Sequence, residues 1–197
     1  MKGIQEIYSL LAGKKNIVIT MHQKPDADAM GSSLGLYHFL KQFGHEVTVI
    51  SPTNWARWLD WMEGTKEVLD YELQRTDSNK ILEEADWLFC LDHNHFSRTK
   101  SIASKLASIN CTKILIDHHQ EPDVASFDYG VSDTSKSSTC EMVYDFIVGS
   151  GHADKINLFA AECLYAGVVA DTGSFRFSST HASVHHMVAH LKELGLE

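Results

Sequence analysis

The fold is decided by residues 21–32, MHQKPDADAMGS, which lie between an apolar, β-branched run and a segment with apolar residues at helical spacing. This order predicts a strand, a loop and a helix. Ligands of open α/β sheets bind beyond the carboxyl ends of the strands, where His22, Asp26 and Asp28 would lie. Such a cluster suits manganese, magnesium, iron or zinc. A simple turn, with Asp28 only capping the helix, is the alternative that this loop leaves open.

Two further apolar runs lead into residues of the same types. Trp87–Leu91 is followed by Asp92, and Lys113–Ile116 is followed by Asp117-His118-His119. Together with a strand over Glu46–Ile50 and intervening helices, they predict an α/β fold, a parallel or mostly parallel sheet with helices on both faces. Because carboxyl ends of parallel strands share one edge, three acidic strand ends favour a metal site over turn chemistry.

The second half of the chain adds a fourth acidic position. An apolar helix over Lys155–Ala170 ends in Asp171-Thr172-Gly173. A carboxylate at a helix C-terminus opposes the helix dipole, so Asp171 calls for a nearby cation, unless it only begins a turn. Ser138 and Glu141 form a capping-box pattern at the start of another helix. The other predicted helices are Ile4–Ala12, a helix ending near Phe43, Ser97–Ile109 and Ala182–Leu194.

Composition narrows the class of protein. The 197 residues are 44% hydrophobic, which is enough for a full core and fits one domain over residues 1–197. The net charge of −9 argues against binding long duplex nucleic acid. The apolar run Leu158–Ala170 is too short to cross a bilayer and is expected to be a buried helix, so no membrane partner is predicted. The four scattered cysteines indicate a reduced, cytoplasmic protein, with disulfides the less favoured alternative.

Other polar and aromatic residues have weaker signals. Arg98 follows Asp92 by six positions and could clamp a phosphate, although a solvated surface arginine is the more ordinary reading, and Arg176 has the same standing. His93 and His95 are expected to be peripheral. The histidines near the C-terminus favour an exposed helix face over a zinc site; they are His181, His185, His186 and His190.

Three tryptophans recur at three-residue spacing. Trp55, Trp58 and Trp61 would share one face of a helical or 3₁₀ segment. Such a stripe could stack on nucleobases, but packing against the domain is the favoured interpretation.

These motifs resemble the four signatures of the DHH phosphoesterase superfamily. They are His22-x-x-x-Asp26-x-Asp28, Asp92, Asp117-His118-His119 and Asp171-Thr172-Gly173. Pro25–Ser32 and Ser137–Glu141 further resemble the bifunctional oligoribonuclease and pAp-phosphatase (nanoRNase) group. The resemblance covers about residues 4–194.

The resemblance implies a set of roles for these residues. His22 and Asp26 would hold one Mn²⁺, and a second would be held by Asp28, His118 and Asp171, with Mg²⁺ the alternative metal. Asp92 would bridge the ions as a catalytic residue. His119 would also be catalytic and, with Arg98, contact the substrate phosphate. Four ligand carboxylates would balance two divalent ions, and Asp117 would orient an imidazole.

Family members usually continue into a substrate-binding DHHA1 domain. Because the sequence ends at Glu197, we expect a DHH domain that is a fragment of a longer protein, or one that works with a partner. The implied activity is hydrolysis, by water activated between two metals, of short oligoribonucleotides, linear dinucleotides such as pApA, or pAp. A family II-like inorganic pyrophosphatase and a metal-binding regulatory module without catalysis are the alternatives. The sequence leaves a homodimer open.

Overall fold

The computed structural model describes all 197 residues and contains one seven-stranded, entirely parallel sheet. The strands are β1 (Lys2–Gly3), β2 (Asn16–Thr20), β3 (Glu46–Ser51), β4 (Leu69–Asp70), β5 (Trp87–Leu91), β6 (Thr112–Asp117) and β7 (Tyr129–Ser132). The α-helices are α1 (Ala27–Lys41), α2 (Arg75–Glu83), α3 (Ala103–Ser108), α4 (Thr139–Gly149), α5 (Leu158–Asp171) and α6 (Ala182–Glu193).

The strand order β1-β7-β6-β5-β2-β3-β4 contains one reversal that positions a site. From β2 the chain moves outward to β3 and β4, then returns to place β5 on the other side of β2. The loops that leave β2 and β5 therefore diverge from neighbouring strand ends. In open α/β sheets this switch point is where ligands bind.

Both faces of the sheet are covered. In β2, the buried Ile17 and Ile19 belong to the larger core cluster, whereas Val18 between them belongs to the smaller one. The larger cluster includes buried residues of α1, α4, α5 and α6, and the smaller includes residues of α2 and α3. Burial on both faces is typical of parallel sheets and explains the continuous apolar strands. The predicted fold class is confirmed.

Helices α1 and α5 pack unusually close together. A Cβ at Gly31 would stand 2.4 Å from the Cys163 carbonyl oxygen, and one at Gly35 would stand 2.7 Å from a Leu164 methyl group. Only residues without a side chain fit at these positions. The close approach fixes the start of α1, which carries Asp28, relative to the end of α5, which carries Asp171.

Several elements differ from those predicted. The strands β1, β4 and β7 were not predicted, and α2 lies in a stretch interpreted only as polar. Residues Ile4–Leu10 form a 3₁₀-helix. The helix predicted over Ser97–Ile109 is divided into a 3₁₀ segment, Phe96–Ile102, and α3, with Lys100 in a left-handed conformation (φ 49°).

Three expectations about burial were wrong. Trp58, inside the 3₁₀ turn Arg57–Leu59, and Trp61, just after it, are exposed, and only Trp55 packs partly on the core. Helix α5 is not buried all round, since Leu158 at its start is exposed. All four cysteines are free, but Cys111 is only half-buried.

No helix has both the length and the hydrophobicity needed to cross a membrane.

Candidate metal centre

Side chains from four parts of the chain converge at the carboxyl edge of the sheet. Their nitrogen and oxygen atoms form three overlapping groups in which the ligand atoms lie within 4.8 Å of one another. The groups are His22-Asp26-Asp92, Asp28-His118-Asp171 and Asp92-His118-His119. The structure thus brings together all six residues predicted as metal ligands, and His119 with them.

In the first group, His22 faces two carboxylates. Its Nε2 atom lies 3.3 Å from Oδ2 of Asp92 and 3.7 Å from Oδ2 of Asp26. Its other ring nitrogen, Nδ1, lies 2.8 Å from the Gln23 carbonyl oxygen, which accepts a hydrogen bond from it. This backbone contact fixes the ring and leaves Nε2 directed at the carboxylates, as in many histidine ligands of metals.

Asp26 combines a helix cap with a place in the site. Its Oδ1 atom accepts hydrogen bonds from the amides of Asp28 (3.0 Å) and Ala29 (3.1 Å), while Oδ2 faces His22. The alternative that Asp28 caps α1 is therefore wrong, since Asp26 is the N-cap residue. A capping role and a ligand role are compatible here because they use different oxygens.

Asp28 is fully buried and receives the start of α4. Its carboxylate accepts hydrogen bonds from the backbone amides of Thr139 (2.7 Å) and Cys140 (2.8 Å). Gly167 on α5 makes room for it, because a Cβ there would stand 3.0 Å from Oδ1 of Asp28. These contacts hold one predicted ligand in place between three helices.

In the second group, His118 reaches three carboxylates with one atom. Its Nε2 lies 3.5 Å from Asp92, 3.5 Å from Asp171 and 3.8 Å from Asp28. Asp171 is the last residue of α5, as the sequence predicted. The carboxylate at this helix end therefore lies next to an imidazole.

Asp92 stands between the two groups. Its Oδ2 atom faces His22 and its Oδ1 atom faces His118. The residue is buried and has a left-handed backbone (φ 58°), an uncommon conformation for aspartate that tends to occur at functional sites. Thr139 Oγ1 donates a hydrogen bond to Oδ1 at 3.0 Å.

The charges of the site are strongly coupled. Burial and the neighbouring Asp92 raise the pKa of Asp28, and the same two causes raise the pKa of Asp171 to about 6. Burial lowers the pKa of His22 and of His118, but hydrogen bonds to carboxylates outweigh it and raise these pKa values to about 10 and about 9. Burial raises the pKa of Asp92, but the hydrogen bonds and charges of His118 and His22 outweigh burial and leave this pKa lowered.

This donor set fits divalent metal ions. Crowded carboxylates need positive charge beside them, and in the metal-free chain protonated imidazoles supply it. Oxygen and imidazole donors without thiolates suit Mn²⁺, Mg²⁺, Fe²⁺ or Zn²⁺. Two of the three groups include Asp92.

His119 is held by Asp117. Its Nδ1 lies 2.8 Å from Oδ1 of Asp117, and its backbone amide donates to Oδ2 at 2.9 Å. Its Nδ1 also lies 3.6 Å from Oδ1 of Asp92. The ring is partly exposed, and Nε2 makes no hydrogen bond within the protein. His119 is therefore oriented by the contact expected for Asp117, with Nε2 available to a ligand.

Arg98 lies in the 3₁₀ segment Phe96–Ile102, in the loop region that follows β5. Its carbonyl oxygen accepts a hydrogen bond from the Gln23 amide at 3.0 Å, which joins this loop to the one carrying His22. The Nη1 atom of its guanidinium is buried without a partner. His93 is fully buried, also without hydrogen bonds, and burial lowers its pKa to about 4, but it belongs to none of the three groups.

The remaining candidates lie outside the three groups. His95 accepts a hydrogen bond from the Ser97 amide as a helix cap. Arg176 Nε donates to the Gly173 carbonyl oxygen at 2.6 Å. The C-terminal histidines begin and line α6, and one of them, His190, contacts the Tyr144 hydroxyl.

Sequence reasoning missed the contribution of Thr139. The pattern around it predicted only a helix start, and Ser138 does cap α4 by accepting from the Glu141 amide. The carboxylate of Glu141 accepts from Ser137 instead of completing the predicted box with Ser138. The sequence carried no signal for this contact, because Thr139 meets Asp28 and Asp92 only in the folded chain.

Comparisons with known proteins find relatives of this chain. The chain is 32% identical over 165 residues to the bifunctional oligoribonuclease and PAP phosphatase NrnA of Bacillus subtilis, covering 83% of this chain and 48% of that protein. It is 27% identical over 192 residues to a probable manganese-dependent inorganic pyrophosphatase of Lactococcus lactis, covering 91% of this chain and 55% of that protein.

A solved structure is similar over nearly the whole chain. An exopolyphosphatase-related protein from Bacteroides fragilis superimposes with a TM-score of 0.95 and 34% identity, covering 98% of this chain and 57% of that one. The chain spans about half the length of the curated relatives it matches. The profile described as DHH family, N-terminal domain, matches residues 16–168. Because that match covers most of the sequence, the chain belongs to the DHH family.

Proposed function

We propose that this chain is a metal-dependent phosphoesterase that hydrolyses short nucleotides. The observation that carries the proposal is the position of Asp92, whose two oxygens face two separate groups of ligands. A carboxylate in this position can serve both ions of a two-metal hydrolytic site. The resemblance to NrnA supports the substrate class.

The proposed ligands follow the groups in the structure. One ion would be held by His22, Asp26 and Asp92, and the other by Asp28, Asp92, His118 and Asp171. When bound, two divalent ions supply an activated water and offset the charge of the phosphoryl group. Mn²⁺ is the metal we favour, with Mg²⁺ as the alternative.

The chain itself would orient the phosphate. Asp117 fixes His119 through two hydrogen bonds, so the protonated form of His119 would donate from Nε2 to a phosphoryl oxygen without reorganisation as charge develops there. The buried, unpartnered nitrogen of Arg98 would gain a partner from a second phosphate oxygen. Both residues thus act on the substrate and not on the metal.

The charge of the chain limits the size of the substrate. With a net charge of −9, the protein has no general attraction for a long polyanion. Short oligoribonucleotides, the linear dinucleotide pApA and pAp present few phosphates and can depend on the metals for their binding. These are the substrates we propose.

The test is release of mononucleotide from pApA and of phosphate from pAp and pyrophosphate, with Mn²⁺ and with chelator. We expect metal-dependent cleavage of both nucleotides and little cleavage of pyrophosphate. Preferential turnover of pyrophosphate would favour the second candidate, an inorganic pyrophosphatase, which the Lactococcus lactis relative supports. Binding of Mn²⁺ without any turnover would contradict both and favour a metal-binding module.

A further inference from the structure

We propose that the pocket beside the metal centre is a nucleobase site in which Trp58 and Trp61 stack on the base of the bound nucleotide. This inference rests on the proposed function, because it places the base next to the phosphate that the metals would hold. The sequence pattern alone favoured packing of these tryptophans against the domain. Because they are exposed, stacking on a nucleobase becomes the better interpretation.

The pocket lies beside the metal centre, although none of the six proposed ligands lines it. Its wall includes Ala27, which lies between Asp26 and Asp28 in the chain, and Ala170, which precedes Asp171. A nucleotide with its phosphate at the ligands would extend past these two alanines to place its base in the pocket. The volume of about 770 Å³ lies within the range of small-molecule sites.

Aromatic side chains stand on two sides of the pocket. Trp58 and Trp61 are 61% and 56% exposed, and both line it. Tyr165 on α5 lines it from another element. Trp55, by contrast, is partly buried and donates from Nε1 to Asp60 at 2.9 Å. Two large exposed indoles side by side form an apolar surface, and exposed apolar surfaces of this kind mark sites that bind a ligand or a partner.

The chemistry of the wall selects a flat, mostly apolar group. Most lining residues are hydrophobic, and the charged side chains are Glu162, Glu197 and Arg176. A second phosphate would meet one arginine and two carboxylates, whereas a neutral base would meet aromatic faces and polar groups for its edges. Stacking on aromatic side chains is a general way in which proteins hold unpaired bases.

The test compares substrates with and without the base. KM and kcat are measured for pApA, and for the same dinucleotide with one base removed, using the wild type, Trp58→Ala and Trp61→Ala. We expect each substitution to raise KM for pApA about tenfold, the effect typical of one lost stacking contact, with kcat within about twofold. Trp58→Phe should restore most of the affinity. Leu73→Ala, an exposed apolar residue outside the pocket, is the matched control.

A binding measurement separates this proposal from the proposed function. AMP is titrated while tryptophan fluorescence is recorded, and we expect quenching that Trp58→Phe and Trp61→Phe reduce. Turnover of pApA with unchanged KM in both alanine variants would overturn the base site and leave the function standing. AMP quenching without turnover would support the base site and overturn the function. Self-association lost in Trp58→Ala, without AMP quenching, would assign the pocket to a second copy and overturn the base site.

Discussion

The hydroxyl of Thr139 donates a hydrogen bond to Oδ1 of Asp92 at 3.0 Å, while the backbone amide of the same residue donates to Oδ2 of Asp28 at 2.7 Å. One residue at the start of α4 thus orients carboxylates of both ligand groups. Contacts that orient metal ligands commonly change metal affinity 10- to 100-fold when lost. The hydroxyl can be removed without removing the amide, so its contribution can be measured separately.

Thr139→Val should weaken Mn²⁺ binding by about 10-fold or more, because Oδ1 of Asp92 loses its donor while the side chain keeps its volume. The dissociation constant is measured by calorimetry. Thr139→Ser keeps the hydroxyl and should bind nearly as the wild type does. Equal affinities in all three proteins would show that this hydrogen bond does not orient the metal site.

His119→Asn should lower kcat for pApA by about 10²–10³-fold while leaving Mn²⁺ affinity within about twofold, since the proposed role is donation to the phosphoryl group. The geometry also permits another role, because His119 forms a group with Asp92 and His118. Both quantities are therefore measured on the same preparation. A large loss of Mn²⁺ affinity would identify His119 as a ligand instead.

Asp28→Ala should destabilise the metal-free chain by about 3 kcal/mol, because two buried amides at the start of α4 lose their acceptor. Asp26→Ala should cost about 1 kcal/mol as the loss of one helix cap. Urea unfolding in the presence of chelator compares them, and equal costs would contradict the structural role of Asp28.

Metal binding should release protons near neutral pH. Against the effect of burial, carboxylates raise the pKa of His22 to about 10 and that of His118 to about 9, so both imidazoles are protonated at pH 7.5 without metal. They must lose those protons to become ligands, and Mn²⁺ affinity should keep rising from pH 6.5 to 8.5. With ordinary pKa values near 6.5, the rise would end near pH 7.5.

Calorimetry in buffers with different ionisation enthalpies measures the protons released. We expect about two per chain at pH 7.5, one from each imidazole. Release close to zero, with constant affinity above pH 7.5, would show that the imidazoles are already neutral.

The sequence predicted the central strands because their signals are strong. Strands β2, β5 and β6 are continuous apolar runs that lead into acidic or histidine residues, and they are buried on both faces. The edge strands β1 and β4 have two residues each, too few for a periodic signal. Helix α2 was missed because only Ser78 and Leu82 of its residues are buried, which leaves a mostly polar sequence.

The site was predictable where a residue type itself indicates the chemistry. Carboxylates and imidazoles at strand ends and at one helix end indicated the candidate residues. The family resemblance implied six of them as ligands, and the structure brings these six together. The contact from Thr139 was not predictable, because it depends on the approach of α4 to Asp28 from a distant part of the chain. The exposure of Trp58 and Trp61 was not predictable either, since the single 3₁₀ turn at Arg57–Leu59 does not carry both indoles to the core.

The proposed hydrolysis would use two divalent ions that share Asp92, and the number of bound ions tests this proposal most directly. Electron paramagnetic resonance counts the Mn²⁺ bound at saturation by the wild type and by Asp92→Ala, with circular dichroism to show that the variant is folded. We predict two ions in the wild type, and at most one weakly bound ion in the variant with about a thousandfold lower rate on pApA. Two tightly bound ions in Asp92→Ala, or a single ion in a fully active wild type, would contradict the account.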